Sequence, residues 1–137
     1  MTYLLDANVL IALGWSTHIH HHPANQWLPG KLFATCAQTQ LAFLRISTHP
    51  QLPYHATMAD ARATLHSILS QGEHEFWTMD LQPLTQQPGA RSHDQLNDLY
   101  LLALAKNHGA RLATFDSAIR SFAGDDSTFI ELITQTR

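Results

Sequence analysis

The 137 residues, 45% of them hydrophobic, are enough to bury one core without disulfides, and a single cysteine, Cys36, excludes an internal one. A formal charge of −3, with ten histidines counted neutral, excludes a broadly basic nucleic-acid binder. No apolar run nears the ~20 residues of a membrane helix and no signal-peptide pattern opens the chain, so a cytoplasmic protein with no membrane partner is expected.

The elements follow in chain order. Tyr3-Leu4-Leu5 is a short apolar run that predicts a buried strand. Asp6-Ala7-Asn8 introduces a helix over Val9–Leu13, interrupted at Gly14. Pro23–Leu28 predicts a second helix, stopped by Pro29-Gly30, and Leu32–Cys36 a second strand. Leu41, Leu44, Arg45 and Ile46 recur at helical spacing before Pro50 and Pro53. Thr57 is placed to cap a helix over Met58–Leu69, with Gly72 beyond its end. Phe76–Met79 predicts a third strand, and residues 82–92, with Pro83, Pro88 and Gly89, a loop.

The clearest helix carries Leu96, Leu99, Tyr100, Ala103 and Leu104, with Gly109 where a capping glycine belongs. Arg111–Phe115 predicts a fourth strand, Asp116–Phe122 a short helix, and Phe129–Ile133 a fifth strand. Strands alternating with helices predict an α/β protein, an α/β/α sandwich around a mostly parallel central sheet. No repeat or linker divides residues 1–137, so one domain is expected.

Three acids stand where chemistry is expected. Asp6 follows strand one and Asp116 follows strand four, and ligands of open parallel sheets bind at such strand ends. Both would face one crevice if the two strands are neighbours. Asp98 lies early in the strongest helix, between Leu96 and Leu99, where an acid is costly unless paired or bound to an ion. Converging carboxylates repel, so a hard divalent cation is their natural partner. Each acid also has a plainer role. Asp6 and Asp116 would serve as helix caps, and Asp98 as a first-turn acid favoured by the helix dipole. Asp94, one turn earlier, is a weaker candidate, and Asp80 also follows a strand.

Leu5-Asp6-Ala7-Asn8-Val9-Leu10 resembles the opening motif of PIN-domain nucleases, and Ala113-Thr114-Phe115-Asp116 their closing motif. Asn97 to Ala105 is similar to the helix that carries the family's third acid. Phe33-Ala34-Thr35-Cys36, continuing from Thr39 to Arg45, resembles one branch of the VapC-type toxins. Four motifs in order span essentially the whole chain.

The resemblance implies a Mg2+- or Mn2+-dependent endoribonuclease with Asp6, Asp98 and Asp116 as metal-holding catalytic acids. Asn8 and Thr114 would orient them by hydrogen bonds. It also implies an RNA substrate, a homodimer and silencing by a cognate antitoxin protein. One position departs. Where the family usually has a glutamate, this chain has Gln40, which brings no charge and cannot act as a base. Gln40 is expected at the rim of the acid cluster, with three acids sufficing. A nuclease weakened by this change into an RNA-binding module is the alternative.

Other candidates point elsewhere. His18, His20, His21 and His22 could hold zinc, but a partly solvated segment near the crevice, touching RNA or antitoxin, is the stronger expectation. Arg91, Lys106 and Arg111 are candidate phosphate contacts, and His93 is expected just before the Asp98 helix. Cys36 has no base partner in sequence and is expected to be a buried inert thiol. An aspartyl-nucleophile phosphohydrolase would need a second aspartate where Asn8 stands. A dinucleotide fold would need a glycine fingerprint after strand one, which is absent.

Overall fold

The computed structural model describes residues 1–83 and 92–134. Its elements are β1 (Thr2–Leu5), α1 (Ala7–Gly14), α2 (His21–Trp27), β2 (Leu32–Cys36), α3 (Ala37–Thr48), α4 (Met58–Leu69), β3 (His74–Trp77), α5 (His93–Asn107), β4 (Arg111–Thr114), α6 (Arg120–Ala123) and β5 (Ile130–Leu132). A 3-10 turn over Ser117–Ile119 joins β4 to α6, and another over Gly124–Phe129 leads into β5.

The sheet has five strands in the order β3-β2-β1-β4-β5, and every pairing is parallel. Parallel neighbours need crossovers, which place helices on both faces. Leu4, Ala34 and Leu112 point to one face and pack on Leu101, Leu102 and Leu104 of α5. Their strand neighbours Leu5, Phe33 and Ala113 point to the other face, against α1, α2, Phe43 of α3, and Leu65 and Ile68 of α4. The alternation of the strands thus sorts the core into two layers, and the expected α/β/α sandwich is the fold.

The chain lays β1, β2 and β3 outward in one direction, then returns to add β4 on the other side of β1. The reversal lies between β1 and β4, where a crevice opens at the strand ends. Leu5 stands opposite Ala113 there, and the Asp6 N–H donates to the Ala113 carbonyl at 3.0 Å.

Several boundaries differ from the sequence reading. β3 is His74–Trp77, not Phe76–Met79, because register with β2 pairs Phe33 with His74 and Cys36 with Trp77. On this edge strand Phe76 is 55% exposed, so its apolarity marks surface rather than core. α2 starts at His21, whose Nδ1 lies 2.8 Å from the Ala12 carbonyl oxygen. The Asp116–Phe122 helix is a 3-10 turn followed by a single α-turn. His93 is the first residue of α5 rather than its forerunner.

Gly14 ends α1 where it crosses α3 and α4. A Cβ there would stand 3.0 Å from Phe43 and Thr64 side-chain carbons, so no larger residue fits without a shift. Most of the 82–92 loop, with Arg91, and the side chain of Asp94 lie outside the described residues. No described helix is long and apolar enough to cross a membrane.

Candidate active site

Asp6 leaves β1 with extended backbone and starts α1, accepting the Ala7 N–H on Oδ1 at 2.7 Å. The plain capping role is therefore real, but it occupies only one carboxylate oxygen. The other, Oδ2, accepts the Thr114 hydroxyl at 2.9 Å and the Asn8 amide at 3.4 Å. Thr114 is fully buried at the end of β4, and its Oγ1 also accepts from Asn8 Nδ2 at 3.0 Å and from the Asp116 N–H at 3.1 Å. Asn8 in turn accepts the Phe115 N–H on Oδ1 at 3.2 Å. Asp6, Asn8, Thr114 and Asp116 thus form one connected polar unit across the β1/β4 crevice.

Burial pushes the Asp6 carboxyl above the ordinary carboxylate range. The hydrogen bonds from Thr114 and Ala7 pull it back in part, and the negative charge of Asp116 adds to the rise. Asp116 is exposed and caps the next turn by accepting the Ala118 N–H at 2.9 Å. The pair therefore sets a desolvated carboxylate beside a solvated one. A cation would relieve that strain, and its donors would all be hard oxygens, the set that magnesium and manganese prefer.

Asp98 is half-buried on α5. Three, four and seven residues on are Leu101, Leu102 and Ala105, all buried, so Asp98 extends the sheet-facing stripe of the helix. Among the described residues no three histidine, cysteine, aspartate or glutamate side chains gather as a metal-holding group.

Gln40 lies in the first turn of α3, and its amide is turned to Thr35, donating to Oγ1 at 2.9 Å. By register Thr35 is level with Leu5 on the neighbouring strand, so this contact lies one strand aside from Asp6. Thr35 Oγ1 is also 2.7 Å from His74 Nε2. Burial keeps the His74 imidazole below its ordinary pKa, and a neutral Nε2 can accept the Thr35 hydroxyl while that hydroxyl accepts from Gln40. Gln40→Glu removes the amide donor, and the hydroxyl then turns to the new carboxylate. His74 must supply a proton instead, so its pKa is expected to rise. An NMR titration of His74 in the two proteins checks this, and unchanged titration would place residue 40 outside the network.

Two of the basic candidates are paired with acids. Lys106 pairs with Asp126 at 2.9 Å and Arg111 with Glu131 at 3.6 Å. Arg111 begins β4, so it marks the end of the sheet opposite the acids. A cavity of about 420 Å³ lined by Leu28, Lys31, Leu32, Gln71 and Glu73 also lies at that far end, where β2 and β3 begin. Cys36 is buried at the start of α3, as expected of an inert thiol. Arg45 is exposed, and Asp80 is exposed three residues past β3. Sequence reasoning missed the part played by His20. Its ring stacks on Phe115 with centroids 4.4 Å apart and planes at 8°, a contact across the fold with no local signature.

Known proteins match most of the length of the chain. Residues 3–125 match the family model of the PIN domain. The chain is 37% identical over 137 residues to Ribonuclease VapC38 of Mycobacterium tuberculosis, covering 96% of this chain and 97% of that protein. It is 38% identical over 131 residues to Ribonuclease VapC39 of the same species, covering 90% and 94%. For Ribonuclease VapC29, also of that species, identity is 37% over 137 residues, covering 98% and 100%.

Proposed function

Because the chain belongs to the PIN domain family, we propose that it is a divalent-metal-dependent endoribonuclease, the toxin of a toxin–antitoxin pair. The observation that carries this reading is the Asp6–Asp116 pair, tied together by Asn8 and Thr114 at the switch point of the sheet. Asp6, Asp116 and Asp98 would hold Mg2+ or Mn2+. When bound, such an ion neutralises phosphate charge and lowers the pKa of a nearby water.

The place of Asp98 follows from counting along the chain. α5 ends at Asn107 and the chain turns back into β4, so the two elements run in opposite directions. From Asn107 back to Asp98 is about 14 Å of helix. From Ala110 forward to Thr114 is about 13 Å of strand. These matching lengths, with Asp98 on the sheet-facing stripe of α5, support it as the third acid of the proposed site.

The chain's own residues hold the site in shape. Thr114 fixes one oxygen of Asp6, the α1 cap fixes the other, and the Asp116 backbone is pinned to the same hydroxyl. An aspartyl-nucleophile reading lacks its second aspartate, because Asn8 stands there and is engaged with Thr114 and the Phe115 N–H. A cognate antitoxin and a second copy of the chain complete the proposal. Exposed Leu41, Phe76 and Leu96 are apolar surface available to such partners.

The test is cleavage of RNA by purified protein. Cleavage is expected with Mg2+ or Mn2+ and none in excess chelator. Asp98→Asn should fall by at least about 10-fold, with activity partly regained at higher Mn2+, as for weakened coordination. Undiminished cleavage in chelator, or a fully active Asp98→Asn, would overturn the metal assignment.

A further inference from the structure

The nuclease reading calls for groups that can meet the RNA backbone. RNA is a polyanion, yet the site is built of acids and the protein carries net negative charge. Lys106 and Arg111 are already paired with Asp126 and Glu131, and Lys31 lies over the Trp27 ring, 4.7 Å from its centroid. Beside the acids stands a different kind of donor, the imidazoles of the connection between α1 and α2.

His20 lies flat on Phe115, the residue between Thr114 and Asp116. His18 packs beside His20 with ring centroids 5.6 Å apart. The two side chains are half-buried, while Ile19 between them is 78% exposed, so the segment alternates inward and outward. The His20 backbone N–H donates to His18 Nδ1 at 3.0 Å. That bond fixes the tautomer, because an accepting Nδ1 leaves the proton of the neutral ring on Nε2. Burial, with His20 and His21 nearby, holds the His18 pKa below its ordinary value, which keeps the ring in this neutral form. Among the described residues no hydrogen-bond acceptor takes the Nε2 proton.

We propose that His18 donates its Nε2–H to the backbone of RNA entering the β1/β4 crevice, and that His20, stacked on Phe115, is the positioning residue that holds it there. The assignment rests on the nuclease reading and adds to it a contact to substrate outside the acids. The two histidines then have different requirements. His18 acts through a ring proton, whereas His20 acts through the flat ring stacked on Phe115.

Cleavage of a labelled single-stranded RNA oligonucleotide in Mg2+ separates these roles. His18→Phe should raise KM roughly three- to tenfold with little change in kcat, the effect of losing one hydrogen bond of ordinary net strength. His18→Gln, which returns an N–H at similar reach, should recover part of that loss. His20→Ala should behave like His18→Phe, and His20→Phe, which keeps the stack, like the parent. His66→Ala, exposed in the last turn of α4, serves as the silent control, and thermal unfolding confirms that each variant folds. A His18→Phe protein with the parent's KM overturns the proposal. So does a His20→Phe protein as impaired as His20→Ala. If Asp6→Asn abolishes cleavage while His18→Phe is silent, only the histidine assignment falls. If the parent cleaves RNA with or without Asp6, the nuclease reading falls and this assignment with it.

Discussion

Asp6→Asn is expected to abolish RNA cleavage while changing stability in a pH-dependent way that betrays the buried charge. The loss of activity should be at least about 100-fold, the upper end for disturbing residues that merely support a metal site. Stability follows from the two ends of the side chain. Oδ2 must remain an oxygen, because Thr114 and Asn8 both donate to it. The new amide nitrogen then faces the Ala7 N–H and the α1 cap is lost, at a cost of about 1 kcal/mol. Against this, the parent carries a carboxylate whose folded pKa is raised by burial and by Asp116. A raised pKa means that the folded state binds the proton more tightly. Its favourable contribution is complete below the ordinary carboxylate pKa and is lost as pH rises through the folded value. In chelator, then, the Asn variant should be the less stable protein in acid. The gap should close or reverse as pH climbs toward neutrality. Urea unfolding of both proteins across that range measures it, and a gap independent of pH would show that Asp6 is not electrostatically strained.

Thr114→Val tests the other half of the unit. Valine matches the shape of threonine but removes the hydroxyl that donates to Asp6 and accepts from Asn8 and the Asp116 N–H. The position is fully buried, so little water is at hand to replace those bonds. Orphaned buried groups cost about 1–3 kcal/mol each, and a total loss of about 2–4 kcal/mol is expected. The Asp6 pKa should climb further, since the Thr114 bond is the larger of the two hydrogen bonds that lower it. Activity should fall roughly 10- to 100-fold, the range for residues that orient ligands from behind. Thr114→Ser should retain most of both properties. A valine variant with parental stability and turnover would mean that the hydroxyl is an ornament of the strand end.

The fold was legible where one physical signal dominated. Leu4-Leu5 and Leu112-Ala113 are buried on both faces, so their apolar runs marked central strands correctly. Asp6 and Asp116 were legible as strand-end acids, and the adjacency of β1 and β4 joins them through the Thr114 hydroxyl and their mutual charge. β3 was misplaced by two residues because an edge strand has a solvent side, and Phe76 occupies it. His74, polar in sequence, instead hydrogen-bonds with the buried Thr35. The contact of Gln40 was hidden for a similar reason. Its partner is a threonine five residues earlier, and a side-chain bond of that kind leaves no trace in periodicity. Lys106 and Arg111, picked out as phosphate contacts by charge, are each paired with an acid distant in sequence, which periodicity does not reveal.

The order of the strands also governs when this molecule can become dangerous to its host. The Thr114–Asp6 hydrogen bond joins residues 108 positions apart, and the Asn8–Thr114 bond 106. A chain emerging from the ribosome displays Asp6 early but has nothing to set beside it until β4 has been made. Contacts of such long sequence separation are also the slow ones to form in parallel sheets. Most of synthesis therefore yields an inert polypeptide, and translation halted before residue 111 leaves a fragment without β4 and without half of its acid pair. The acid pair is therefore completed only late in synthesis.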